Sequence, residues 1–316
     1  MTQYRILHQQ HPSADAIPAY FERGFFFNEE THLRQQHNGC FHLITAVNCS
    51  TRLAEARCAF FVQSTEAVSP TAAPFGSIEF AESLPDSVLN KFVQTLTQTA
   101  TATGAIILRL INYPHCYAPQ QANRLIKLLV QQGFNLTRSY ANAYLPVTST
   151  PYDEVLIAAE RRRLRKCQQA GFVFRQWMDP DIDAVISFIS DILHARNYPL
   201  SISTARLADL LKRFPDEFRV FVVNHGLVIT ALSVVVRVRE DILYNFLPAS
   251  NPDYNTFSPM VMLVNGLYTY CQQQGIRLLD LGVSLDGNHQ PKPSLMRFKR
   301  NLGAQESSKL TFEKQL

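Results

Sequence analysis

Apolar residues fall in two rhythms along this chain, one of period two and one near 3.6, broken at intervals by glycine and proline. In the first half, one helix is expected around Ile17–Phe27. Phe41–Val47, Ala54–Gln63 and Gly76–Phe80 read as strands, the last after a loop at Ser69–Pro74. Pro85 opens a helix to about Ala102, Ala105–Leu110 is an apolar strand, Pro119–Gln132 is a helix stopped by Gly133, and Phe134–Leu145 is a strand. The second half begins with a charged helix, Tyr152–Ala170, and a strand, Phe172–Gln176. Helices follow at Pro180–Arg196 and Thr204–Phe214, then a hairpin turning at Asn224–Gly226. A strand at Ile242–Leu247, a polar loop at Ala249–Phe257 and a helix at Ser258–Gln274 come next. The chain closes with a strand at Arg277–Val283, a second polar loop, a basic helix in PSLMRFKRNLGA and a last strand.

The two halves repeat an order of elements rather than residues. Strand 77–80, the Pro85 helix, Gly104, a strand, the Pro119 helix, Gly133 and a strand match strand 242–247, the Pro259 helix, Gly275, a strand, the Pro293 helix, Gly303 and a strand. The expectation is two copies of one α/β unit, against a chance match of a common alternation. The boundary is placed at 150, giving domains 1–150 and 151–316.

Composition narrows the class. The 316 residues suffice for two domains. Hydrophobic content of 46% and charged content of 18% fit packed cores and exclude a disordered chain. A net charge of +4 permits anionic partners without requiring them. No apolar run nears the roughly 20 residues of a membrane span, and MTQYRILHQQ lacks a signal-peptide pattern. The six cysteines contain no CxxC pair, so free thiols in a cytoplasmic protein are expected. His32, His37, Cys40 and His42 form a cluster whose spacing matches no metal site, and no metal is expected.

The segments RRRLRKCQQAGF, YNFLPASNPDYNTFSPMVML, LLDLGVS and LMRFKRNLGA in the second half, and APFGSIEF in the first, carry a family likeness. Together they resemble the GNAT acyltransferases in the double-GNAT, Fem-type branch, the peptidoglycan-bridge aminoacyltransferases. The resemblance implies an α/β (α+β) fold of two tandem GNAT-like domains, each a mixed, mostly antiparallel sheet flanked by helices. It implies a degenerate first domain and an active site in the second. The implied activity is transfer of an acyl group from an acyl-CoA-type donor to a small-molecule amine or peptide acceptor. Two alternatives stand beside it: Fem-like aminoacyl-tRNA-dependent transfer, with tRNA as partner, or a GNAT-fold binding protein without catalysis. Ordinary acetyl-CoA enzymes of the fold hold pyrophosphate on a glycine-bearing loop. The loop Ala249–Phe257 has no glycine, glutamine or arginine.

Within this frame the residues offer several candidates. Ser258 as N-cap and Pro259 as first helical residue place the Ser258 and Met260 amides, and a helix dipole, beside the end of the strand at Leu247. Arg297 and Lys299 on the basic helix can neutralise the donor's charge, with Leu295, Phe298 and Leu302 expected to face the core. In the loop after Val283, Asp286 or His289 can serve as base and Ser284 as hydrogen-bond donor, although LDGNHQP also reads as a plain turn. Tyr244 can donate to a reacting carbonyl, or simply be a strand residue. Asp280, inside an apolar strand, reads as hydrogen-bonded structure ahead of the alternative, a catalytic carboxylate with a raised pKa. The basic stripe Arg161, Arg162, Arg165 and Lys166 faces away from the core, and Glu160 in the apolar arc needs a partner, for which Arg163 is the nearest candidate. By analogy with the family, His194, Asn197 and Tyr198 border the acceptor site.

Overall fold

A computed structural model describes residues 3–195, 198 and 200–316. The chain forms two compact units, residues 1–140 with 308–316, and residues 141–307.

In the first unit, β1 (Tyr4–Gln10), β2 (His42–Asn48), β3 (Ala54–Gln63) and β4 (Glu66–Ser69) form an antiparallel run, with a short helix α1 (Glu30–Leu33) between β1 and β2. The two-residue β5 (Glu79–Phe80) pairs with β3. Helix α2 (Asp86–Ala102) leads to β6 (Ile107–Ile111), which lies parallel to β4. Helix α3 (Pro119–Gln131) and β7 (Asn135–Pro146) follow. Leu89, Phe92, Val93 and Leu96 of α2 pack on Ile44, Phe60 and Leu108 of the sheet. Gly133 ends α3 with φ +79°, a backbone state that favours glycine.

Two expectations fail in this unit. The segment Ile17–Phe27 is not a helix: Pro18 and Gly24 interrupt it, Tyr20 bridges to Ala54, and Phe25 and Phe27 are buried as separate anchors. The Phe25 amide donates to Glu79 Oε1 at 2.7 Å, and Glu79 is in turn paired with buried Arg57 at 2.9 Å. Tertiary contacts therefore replace the local helical bonds. Likewise, the strand parallel to β6 is β4, not the 77–80 segment, so the internal repeat aligns β4 with the later strand at 242.

In the second unit, α4 (Tyr152–Val155) and α5 (Ala158–Gln169) precede β8 (Phe172–Trp177), α6 (Ile182–Ala195) and α7 (Thr204–Arg213). The expected single helix 152–170 is broken at Leu156, whose ψ of 142° is extended. Arg161 then crosses the break and donates to the carbonyls of Asp153 and Leu156. The hairpin of β9 (Phe218–His225) and β10 (Val228–Arg239) forms about Gly226–Leu227. It is followed by β11 (Ile242–Ser250), α8 (Pro259–Gln273), β12 (Leu278–Val283) and α9 (Pro293–Asn301); β13 (Gln305–Gln315) then belongs mostly to the first unit, where Thr311–Gln315 pair antiparallel with β6. Strand β11 runs to Ser250, three residues beyond the expected Leu247, because β10 pairs with it to that point.

The sheet order is β8, β9, β10, β11, β12 and the end of β7, with only β11 and β12 parallel. Helices α5 and α8 cover one face, where Leu164, Val264 and Leu267 meet Phe221, Val235 and Leu243. The alternate residues Val220, Val222 and Val234 are buried on the other face, against which α6 and α7 lie. At Gly266 α8 packs closely on β8: a Cβ there would overlap the Phe174 ring.

Candidate functional site

The parallel pair β11–β12 is short. Ile242, Leu243 and Tyr244 pair with Leu278, Leu279 and Asp280, and pairing then stops. Beyond that point β11 stays with β10, with a bulge at Phe246, while β12 stays with β7, with an irregularity between Asp280 and Gly282. The strands thus splay, and each bulge bends its strand. The opening lies at the carboxyl ends of two parallel strands, where ligands of α/β sheets bind.

A polar cluster occupies this notch. Asp280, 1% exposed, accepts from Asn142 Nδ2 and from the Gly282 amide, both at 2.7 Å. Gly282 has φ +73°, and a Cβ on it would lie 3.2 Å from Tyr244 Cε2, so glycine lets the half-buried Tyr244 ring lie across the strand. Burial, then the Asp280 carboxylate, raises the Tyr244 pKa, so its hydroxyl stays neutral and able to donate. Lys299 projects inward from α9, and its ammonium donates to the Gly282 and Val283 carbonyls at 2.9 and 2.8 Å. Burial pulls its pKa down to about 8, partly opposed by Asp280. Ser284, 5% exposed, has a hydroxyl with no hydrogen-bond partner among the described residues.

The other expected residues are placed differently. Ser258 is left-handed (φ 58°, ψ 58°) and its side chain caps nothing; the hydroxyl turns back to the Asn255 carbonyl at 3.3 Å. Ser258 thus holds the expected N-cap position before Pro259, but without the side-chain capping bond that an extended backbone allows. The Ser258 amide is also taken, by the Tyr254 and Asn255 carbonyls, while Pro259 has no N–H. Met260, half-buried, carries the amide left at this helix start; Leu247 is buried in the β10–β11 pair. Arg297 is exposed, whereas Lys299 is buried with Met296 and Leu302, so the two cations do not share a surface. Asp286 accepts from the Asn288 and Gln290 amides, each at 2.9 Å. Those bonds lower its pKa and oppose service as a base. His194 is exposed, Tyr198 accepts a hydrogen bond from Lys292, and Asn197 lies outside the described residues. Glu160 is buried and pairs with Arg163 at 2.7 Å, the partner its spacing indicated.

Asn142 is the member of the cluster that sequence reasoning missed. It lies 138 residues from Asp280, and nothing local marks it.

The equivalent place in the first unit is closed. There β4 and β6 pair up to Ser69, the end of β4, and Leu110, the residue before the end of β6. The following loop seals the gap: the Gly76 amide donates to the Ile111 carbonyl at 3.0 Å, the Ser77 amide to Ser69 Oγ at 2.9 Å, and Ser77 Oγ to Asn112 at 2.6 Å. Of the histidine cluster, His32 is buried against Phe26 and Phe27, and His42 is stacked between His8 and Phe60. Burial pushes the His42 pKa down to about 4. Among the described residues, no group of three or more His, Cys, Asp or Glu is arranged to hold a metal ion.

This architecture is the GNAT fold in tandem. Residues 157–300 match the family model for the GNAT acetyltransferase domain (Acetyltransf_6). Among solved structures, the chain is similar to FemX, at 12% identity and TM-score 0.68, over 93% of each chain. It is also similar to the C-terminal domain of a putative lysylphosphatidylglycerol synthetase from Agrobacterium fabrum, at 14% identity and TM-score 0.58, over 82% of this chain and 81% of that one. A tandem GNAT protein from the clavulanic acid biosynthesis pathway matches at 9% identity and TM-score 0.52, over 87% and 82%. No curated protein sequence matches the chain.

Proposed function

We propose that the second unit is an N-acyltransferase, moving an acyl group from an activated donor to an amine at the notch between β11 and β12. The observation that carries this reading is the splay after Tyr244 and Asp280. A splayed pair leaves strand edges available to an extended acyl-carrier arm, as a continuous pair would not. In the proposed reaction the amine attacks the donor carbonyl and a C–N bond forms. The oxyanion collapses, the thiol or alcohol leaves, and the amine proton passes to that leaving group or to solvent. Lys299 supplies a fixed positive charge for the oxyanion or the donor's phosphate, and charge placed in a dry site is worth more than in water. Tyr244 and Ser284 supply neutral hydroxyls. Asp286, held in its own turn, remains at the rim. The closed notch of the first unit supports assigning the reaction to the second alone.

The state of the α8 start favours a second reading of the donor. With the Ser258 amide engaged and no glycine in 249–257, little backbone is left to cradle a pyrophosphate. That favours an aminoacyl ester, as on charged tRNA, over acetyl-CoA. Calorimetric titration with acetyl-CoA, a long-chain acyl-CoA and charged tRNA tests both readings. Binding of a CoA species supports the thioester donor, and salt-sensitive binding of charged tRNA supports the ester. Binding of none of them refutes the transferase assignment and leaves a GNAT-fold binding protein.

A further inference from the structure

The second unit also carries an apolar tip beside a basic helix. Leu227, at the β9–β10 turn, is 101% exposed, and Val228 and Val173 beside it are 47% and 57% exposed. Register puts Val228, paired with His225, on the same face as α5, while Val173, paired with Asn224, lies at the same sheet edge on the opposite face. Under the tip, Phe172 stacks on His225 at 4.6 Å between ring centroids and packs on Phe257 at 5.1 Å. Lys166 closes the chain of contacts. Its ammonium lies 4.7 Å from the Phe257 ring centroid and donates to the Thr256 carbonyl at 2.9 Å. The C-terminal end of α5 therefore abuts the base of the hairpin.

Charge on this side is uneven. Arg162, Arg165 and Lys166 are exposed on α5, and successive turns carry them along one side of the helix. The acid of α5, Glu160, is buried and answered by Arg163. Asp253, in the turn before Tyr254, is the exposed acid nearby in sequence.

We propose that this face docks the second unit on an anionic lipid surface, with the Leu227 tip entering the interfacial layer and the α5 cations over the headgroups. The exposed aliphatic pair Leu227 and Val228, on the same side of the sheet as the α5 cations, matches that environment. The aliphatic character decides against RNA as occupant. Single-stranded RNA is gripped by exposed aromatic planes, and the Phe172 ring here is buried beneath the tip. The docking is peripheral: among the described residues, no helix is long and apolar enough to cross a membrane. It requires neither donor nor acceptor and so stands apart from the transfer reading.

Cosedimentation of the full chain with phosphatidylglycerol–phosphatidylcholine vesicles, and with pure phosphatidylcholine vesicles, tests it. The expected result is pelleting with the anionic vesicles only, weakened by salt. Leu227→Asp should lower partitioning by about tenfold or more, and Arg162→Gln and Lys166→Gln by about fivefold each. Leu227→Ser serves as a milder second variant, and unchanged thermal unfolding shows that the fold is intact. No pelleting with anionic vesicles overturns the proposal, as does pelleting that ignores Leu227. RNA binding lost with the α5 cations but indifferent to Leu227→Asp also overturns it, and makes the face a nucleic-acid surface.

Discussion

Lys299→Met is the most direct probe of the notch. The wild-type ammonium is buried, and its pKa falls from 10.5 to about 8 on folding. A shift of that size corresponds to about 3 kcal/mol disfavouring the charged form in the folded state. Because the folded pKa lies below the unfolded one, the folded protein releases its proton first. The unfolded state binds more protons between pH about 8 and about 10.5, so stability rises with pH across that window. Below it both states are charged and the whole penalty is present. Methionine fills similar volume and does not titrate. The stability of the wild type relative to Lys299→Met should therefore increase by about 2 kcal/mol between pH about 7 and about 9.5, other groups cancelling. Urea denaturation of both proteins at the two pH values measures this. A difference that stays constant with pH means that Lys299 titrates as an ordinary lysine, and the buried-charge account of the site fails. Turnover supplies a second readout: if the ammonium is the working form, wild-type activity declines as pH rises through about 8. Lys299→Met should lose on the order of a hundredfold in kcat.

Three further outcomes are expected. Ser284→Ala removes a buried hydroxyl that has no partner, so stability should change by less than about 0.5 kcal/mol or improve while turnover falls; a clear destabilisation in urea would show that the hydroxyl is already engaged. Gly266→Ala pushes a methyl group into the Phe174 ring and should cost about 1–3 kcal/mol, read as a lower urea midpoint; an unchanged midpoint would mean that α8 and β8 are less tightly packed. Arg57→Met strips the buried Glu79 of its cation and leaves Glu29 unpaired, a loss of about 3–5 kcal/mol. Glu79→Gln in the same background should recover part of it, and absence of recovery in thermal unfolding would place the cost elsewhere.

Much of the architecture was legible in the residues because local signals agreed with tertiary demand. Pro119 and Gly133 bracket α3, the turn expected about Asn224–Gly226 joins β9 to β10 one residue later, at Gly226–Leu227, and the apolar run of β12, interrupted by Asp280 alone among charged residues, fits a central strand. The likeness in RRRLRKCQQAGF and in the LMRFKR part of LMRFKRNLGA falls inside the matched GNAT segment. Where local and tertiary terms competed, sequence reasoning failed. The segment Ile17–Phe27 gave up its helix to bury aromatic anchors, and Ser258 surrendered its capping geometry to a left-handed turn. Lys299 groups with Arg297 by charge as a donor-binding cation, but the two are two residues apart on a helix and face different ways; Lys299, one turn from Leu295, turns inward to the Gly282 and Val283 carbonyls.

The sequence alone therefore determined the alternation of strands and helices and their doubling, which rest on short-range periodicity and turn chemistry, and it carried the family resemblance in a few short motifs. The tertiary structure decided which notch is open. Whether two parallel strands part depends on which other strands claim their outer edges, as β10 claims β11 and β7 claims β12. It also decided that Asn142, Tyr244, Asp280 and Lys299 meet, because hydrogen bonds between residues up to 138 positions apart leave no mark on the local pattern of either partner.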